Sequence, residues 1–145
     1  MTDTVYELSC NLDDMTGEEL GFAMERLLEQ GALDVYTIPI GMKKGRPGVM
    51  LNVLCAPEDR EKTAQALFRY TTTLGVRETA HSRYILRRES RVLDTAYGPV
   101  REKRVEGFGT SRSKLEYEDL RRIALEQEIS LAQAREMLSG KDEQK

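Results

Sequence analysis

The sequence predicts an α+β fold: a four-stranded antiparallel sheet with two helices on one face, followed by a β-hairpin and two more helices. Three observations predict it. From Val5 to Leu12 apolar and polar residues alternate, with Tyr6, Leu8, Cys10 and Leu12 opposed to Glu7, Ser9 and Asn11, the period of a half-buried strand. Just beyond, Leu20, Ala23, Met24, Leu27 and Leu28 recur at helical spacing. Strand-like and helix-like stretches then continue in the order strand, helix, strand, strand, helix, strand (βαββαβ), the ferredoxin-like split βαβ arrangement.

Each element has its own signal. Thr16 followed three residues later by Glu19 is a capping box, so the first helix is expected from Gly17 to Gln30, with Gly31 as a left-handed stop. Ala32 to Met42, rich in Val, Ile and Tyr, reads as the second strand, and Val49 to Cys55 as the third. Pro57 suits the first turn of a second helix with Ala64, Leu67, Phe68 and Thr71 facing inward and Gly75 as its stop. Val76 to Arg88 reads as a fourth strand centred on Tyr84-Ile85-Leu86. Val92 to Ala96 and Val100 to Val105 then form a hairpin around Tyr97-Gly98-Pro99, and Gly107 to Ser111 reads as a flexible connector. Leu120, Ile123 and Ala124 mark a helix from Tyr117 to Gln127, and Ser130 with Gln133 caps a last one. The expected organisation is a ferredoxin-like domain over residues 1–90, a hairpin and helical appendage over 91–140, and a solvated tail over 141–145.

Composition narrows the function classes. With 145 residues and 39% apolar content the chain can bury a real core. No run of 18 apolar residues occurs and the N-terminus has neither a signal-peptide nor a transit-peptide pattern, so a soluble, cytoplasmic protein without a membrane role is expected. Cys10 and Cys55 make no metal or disulfide framework and are expected as buried reduced thiols. The net charge of −3 hides an asymmetry: residues 83–114 carry nine basic and four acidic side chains, a local balance of +5 that leaves −8 for the rest. A basic segment in an acidic chain suits a small anionic ligand better than nucleic acid. The third strand also lacks the aromatics that an RNA-recognition sheet displays. His81, the single histidine, reads as a surface or strand-edge residue.

Two stretches carry chemistry. Asp13 and Asp14 lie where the first strand ends and a helix N-terminus follows, a place where paired carboxylates could hold a hard cation such as Mg²⁺ or Mn²⁺ shared with substrate phosphates. The ordinary alternative is that they only complement the helix dipole. Gly41 to Gly48 packs three glycines, a proline, Lys43, Lys44 and Arg46 into a loop between two strands, so backbone and positive charge could both approach phosphate oxygens. Its spacing is not that of a Walker loop. Along the basic segment, strand alternation puts Arg83 and Arg87 on one face, turns Arg88 away, and pairs Arg101 with Lys103.

With Asn11-Leu12-Asp13-Asp14-Met15-Thr16-Gly17-Glu18, Met42-Lys43-Lys44-Gly45-Arg46-Pro47-Gly48, the series Arg83, Arg87, Val92, Thr95, Tyr97-Gly98, Val100-Arg101 and Lys103, and Glu116-Tyr117-Glu118-Asp119, the chain resembles the C-terminal half of the nickel-insertion (LarC) family. The similarity spans nearly the whole chain. It implies a nickel chelatase or insertase, a lyase that installs Ni²⁺ in the pyridinium-3,5-bisthiocarboxylic acid mononucleotide (nickel-pincer) cofactor of lactate racemase, using CTP with Mg²⁺ or Mn²⁺ and releasing CMP and pyrophosphate. Under that resemblance Asp13 and Asp14 hold the metal and, with Lys43, form the catalytic group. Lys43, Lys44 and Arg46 bind β- and γ-phosphate oxygens, with Arg83, Arg87, Arg101 and Lys103 as a second positive bank. The resemblance further implies an isolated C-terminal domain whose partners are the N-terminal half, the nucleotide, the cofactor precursor and other copies of itself in a homo-oligomer. One departure is local: Lys114-Leu115-Glu116 stands where many relatives have a proline before the glutamate, which sets Lys114 aside as a ligand. The alternative function is a non-catalytic oligomerisation or small-ligand-sensing module of the same fold.

Overall fold

The structure is a computed structural model and describes residues 1–139, so the tail expected at 141–145 lies outside the described residues. It divides into two compact units, one of Thr2–Tyr84 and one of residues 85–139 together with Met1.

In the first unit β1 (Thr2–Leu12), α1 (Gly17–Glu29), β2 (Asp34–Gly41), β3 (Pro47–Cys55), α2 (Arg60–Tyr70) and β4 (Arg77–Tyr84) follow in the expected βαββαβ order. The strands form one sheet ordered β2-β3-β1-β4, with every neighbouring pair antiparallel. Register puts Leu8 opposite Val53 and Cys10 opposite Leu51. These side chains, with Leu12, Val35 and Cys55, meet Leu27 of α1 and Ala66 and Leu67 of α2 in the core. Both thiols are buried and free, and burial pushes the pKa of each upward, so they fill space as neutral groups.

The first helix follows its sequence signals closely. The Thr16 hydroxyl accepts the Glu19 N–H at 3.2 Å, which fixes the N-terminus. At the other end the Gly31 N–H bonds to the Leu28 carbonyl and the Ala32 N–H to that of Leu27, with Gly31 at φ 100°, a Schellman stop. In α2 the inward face differs from the expected one: Thr63, Ala66 and Leu67 are buried while Phe68 is 50% exposed. A 3₁₀ turn over Pro57–Asp59 precedes the α-helix, and of the expected inward face Leu67 is fully buried and Ala64 packs partly buried against the core. The helix ends at Tyr70, ahead of the expected stop at Gly75: Thr71 turns extended at φ −125° and ψ 171°, while its N–H and its hydroxyl both still donate to the Leu67 carbonyl.

The fourth strand is shorter than expected. β4 pairs with β1 only as far as Tyr84 opposite Thr2, where β1 itself begins, and one further bond follows, from the Ile85 N–H to the Met1 carbonyl at 3.0 Å. Tyr84, expected at an apolar strand centre, is 80% exposed, and the chain passes at Ile85 into the second unit.

That unit holds β5 (Arg87–Thr95), β6 (Gly98–Gly107) and β7 (Thr110–Leu115) in a three-stranded antiparallel sheet, then α3 (Tyr117–Gln127) and α4 (Leu131–Ser139). The expected hairpin is present, and a third strand joins it. The expected connector Gly107 to Ser111 is therefore the end of β6, the turn Phe108-Gly109 and the start of β7, and Phe108 and Gly109 both take positive φ, as a two-residue hairpin turn requires. Val100 of β6 packs with Leu120, Ile123 and Ala124 of α3 and Ala134 of α4 as a second core. Arg122 of α3 donates to the Tyr97 carbonyl at 3.0 Å and the Pro99 carbonyl at 2.9 Å, clamping the β5–β6 turn. The last helix begins with the predicted capping box, Ser130 and Gln133 exchanging both bonds. Among the described residues no helix is long and apolar enough to cross a membrane.

Candidate functional site

The carboxylate pair lies at one end of the first unit. β1 finishes at Leu12, Asp13 and Asp14 form a bend, and α1 begins at Gly17. The basic loop reaches the same end because Leu12 pairs with Val49 at the start of β3. Gly48 makes that approach close: a Cβ there would stand 2.8 Å from the Leu12 carbonyl oxygen and 2.4 Å from Met42 Sδ. The loop itself is a 3₁₀ turn, Lys43–Gly45, in which Lys44 is held at φ 62° and Gly45 at φ 68°. A left-handed conformation at a residue with a Cβ costs about 1 kcal/mol.

The two stretches singled out in the sequence thus meet. Arg46 Nη1 lies 3.7 Å from Asp13 Oδ2, and Lys43 and Lys44 are exposed on the same hairpin tip. Asp14 accepts a short hydrogen bond from the Thr72 hydroxyl in the turn after α2. Asn11 accepts one from Arg77 Nη2 at 3.0 Å, at the start of β4. Thr72 and Arg77 were invisible as neighbours in the sequence. The antiparallel register of β4 against β1, which sets Arg77 opposite Ser9, was the one signal that could have found Arg77.

Oδ1 of Asp13 and Oδ2 of Asp14 have no protein partner among the described residues. Among those residues no group of three or more His, Cys, Asp or Glu could hold a metal. Two carboxylates fit a hard cation that takes its other ligands from water and phosphate, and do not fit an all-protein cage.

The second positive bank fares differently. Arg83 sits near the start of β1, at the end away from Asp13, and forms a bidentate pair with Asp3 at 2.7 and 2.9 Å. At about 3.3 Å per residue the intervening strand spans roughly 30 Å. Arg83 and Arg87 do not share a strand face: one closes β4 and the other opens β5 in the other unit. Arg87 pairs with Glu89 at 2.7 Å. Arg101 and Lys103 do share a face of β6, but each is neutralised from the start of α3. Asp119 receives the Arg101 backbone N–H at 2.8 Å and its guanidinium at 2.9 and 3.2 Å, and Lys103 Nζ is 2.7 Å from Glu116. The Arg101 guanidinium and backbone N–H hold the Asp119 carboxyl below its ordinary range. These two pairs tie α3 to β6. His81 lies on the edge strand β4, 3.1 Å from Glu7.

A ferredoxin-like unit with Asp13 beside a basic hairpin tip, joined to a second unit of three strands and two helices, defines a small α+β protein. The family profile described as "Nickel insertion protein" matches residues 1–135, and the chain belongs to that family. A pyridinium-3,5-bisthiocarboxylic acid mononucleotide nickel insertion protein of Acetivibrio thermocellus is 42% identical over 130 residues, which is 90% of this chain and 32% of that protein. Its counterpart in Alkaliphilus metalliredigens is 47% identical over 121 residues, 83% of this chain and 29% of that one. The chain therefore spans about a third of the length of these curated relatives. Among solved structures it is similar to LarC2, the C-terminal domain of a cyclometallase involved in the synthesis of the NPN cofactor of lactate racemase, in apo form. That match has TM-score 0.78 and 36% identity, and covers 92% of each chain. A Methanopyrus kandleri protein matches with TM-score 0.65 and 27% identity, covering 92% of this chain and 85% of that one.

Proposed function

We propose that this chain is the CTP- and divalent-metal-binding part of a nickel insertase that completes the nickel-pincer mononucleotide, splitting CTP to CMP and pyrophosphate. The observation that carries the reading is the approach of Arg46 to Asp13, which sets a basic loop beside two carboxylates with unshared oxygens. Breaking the bond between α- and β-phosphates calls for charge neutralisation and alignment and little covalent chemistry from side chains. Asp13 and Asp14 would hold Mg²⁺ or Mn²⁺, which when bound supplies positive charge to the triphosphate. Lys43, Lys44 and Arg46 grip β- and γ-phosphate oxygens, with Lys43 on the departing pyrophosphate. Membership of the nickel insertion family and the likeness to LarC2 support this reading. Nickel and the pyridinium mononucleotide are its substrates, and the rest of a longer insertase and further copies of the chain are its partners.

The test is calorimetric titration with CTP, ATP, GTP and UTP at saturating Mn²⁺, followed by assay of pyrophosphate. CTP is expected to bind in preference to the others, and an Asp13→Asn, Asp14→Asn double variant to lose that binding while keeping its thermal midpoint. Silence of the wild-type chain toward all four nucleotides sinks the proposal.

A further inference from the structure

One face of the β5–β6–β7 sheet gathers positive charge that the nucleotide reading leaves unused. Register lines up Arg88, Val105 and Arg112 across the three strands, and Ser90, Lys103 and Lys114 in the adjacent row. Lys103 and Lys114 are therefore direct cross-strand neighbours, an arrangement that costs a sheet stability. Glu116 offsets Lys103. Arg88, Arg112 and Lys114 are exposed and have no ion pair or side-chain hydrogen bond among the described residues. Every cation of the expected second bank is paired with a carboxylate, so the unpaired charge of this face sits on Arg88, which strand alternation turns away, on Lys114, which the departure from the family pattern sets aside, and on Arg112.

The face is also concave. Arg88, Lys103, Val105, Arg112, Ser113 and Lys114 line a hollow of about 470 Å³, within the usual range for a small-molecule site. A neighbouring hollow is lined by the same Lys103 and Lys114, by Leu115, by the Glu116 already paired with Lys103, and by Tyr117, which is 54% exposed. Unpaired cations around an apolar floor suit a phosphate group, and an exposed phenol ring beside them suits a cationic aromatic ring.

We infer that this face is a second anion site, which takes the phosphate of a pyridinium mononucleotide between Arg88, Arg112 and Lys114 and sets the pyridinium ring against Tyr117. The choice of a pyridinium ligand rests on the proposed function. The phosphate site rests on the charge and shape of the sheet alone.

The experiment titrates the whole chain with nicotinic acid mononucleotide, a commercially accessible pyridinium mononucleotide, and in parallel with inorganic phosphate, CMP, CTP at saturating Mn²⁺, and a uridine oligonucleotide. The wild-type chain is expected to bind the pyridinium mononucleotide more tightly than CMP or phosphate. Arg112→Gln and Lys114→Gln should each weaken that binding about tenfold. Tyr117→Ala should erase the preference over CMP, and all three variants should leave CTP binding unchanged. Arg104→Gln removes the same charge from the opposite sheet face and should change neither titration. No binding of the pyridinium mononucleotide, an equal loss in Arg104→Gln, loss of CTP binding in Arg112→Gln, or tighter binding of the oligonucleotide each overturns the inference. CTP binding without mononucleotide binding defeats this inference alone, and the converse defeats only the proposed function.

Discussion

Gly48→Ala tests whether the meeting of acid pair and basic loop depends on close backbone approach. The added Cβ would stand 2.8 Å from the Leu12 carbonyl oxygen, 2.4 Å from Met42 Sδ and 2.9 Å from Met42 Cγ. The methionine can swing aside, whereas the carbonyl belongs to β1 in the middle of the sheet and can move only with the strand. Overpacking of this kind costs about 1–3 kcal/mol, and replacing a strand glycine returns roughly 0.5–1 kcal/mol of backbone entropy. The net expectation is destabilisation by about 1–2 kcal/mol. At a slope near 1–1.5 kcal/mol/M for a unit of this size, the urea midpoint of the first unit should fall by about 1 M. Far-ultraviolet circular dichroism in urea measures it. Nucleotide affinity should fall as well, since the strain lies between Leu12 and the loop that carries Arg46. Adding Met42→Ala should relieve only a minor part of the loss, because the carbonyl contact remains. Gly21→Ala is the reference, being on α1 with nothing within 4 Å of its Cβ, and should gain up to about 1 kcal/mol. A Gly48→Ala chain as stable as wild type would refute the close-approach argument.

Thr16→Ala removes the acceptor of the Glu19 N–H and should cost about 1 kcal/mol, read as a lower thermal midpoint. In the second unit, Asp119 and Glu102 have pKa values lowered by Arg101 and Arg91. Both are therefore more acidic folded than unfolded, and the stability they contribute is complete above their ordinary values of 3.8 and 4.5 and lost as pH falls through the lower folded values. Unfolding followed from pH 6 to pH 2 should show that loss, and Asp119→Asn should flatten it. Tyr36 and Ile38 are 37% and 42% exposed on β2, on the sheet face away from Val35 and the core. If copies of the chain associate through that face, Ile38→Glu should shift light-scattering mass to the monomer without lowering the thermal midpoint of the monomer.

Much of this protein was determined locally. The alternation in β1, the Thr16 cap, the Gly31 stop and the Ser130 box each depend on residues a few positions apart, and propensity and hydrogen-bonding capacity settle such features without the rest of the chain. The acid pair and the basic loop could be named for the same reason, since a strand exit and a glycine-rich hairpin are visible in composition. What the chain alone left open were the partners. The resemblance and strand alternation group Arg83, Arg87, Arg101 and Lys103 as one positive bank, and neither shows which carboxylates face them. Folding set Asp3, Glu89, Asp119 and Glu116 against them one by one. The start of β7 falls in the connector expected over Gly107 to Ser111, because Thr110 to Lys114 has no apolar residue to mark a buried face, and it becomes a strand through its ladder to β6. Arg88, Arg112 and Lys114 acquire meaning only once that ladder brings them onto one surface. Helix starts and strand periods are short-range properties, whereas charge compensation and the lining of a hollow are long-range ones, and only the tertiary structure decides them.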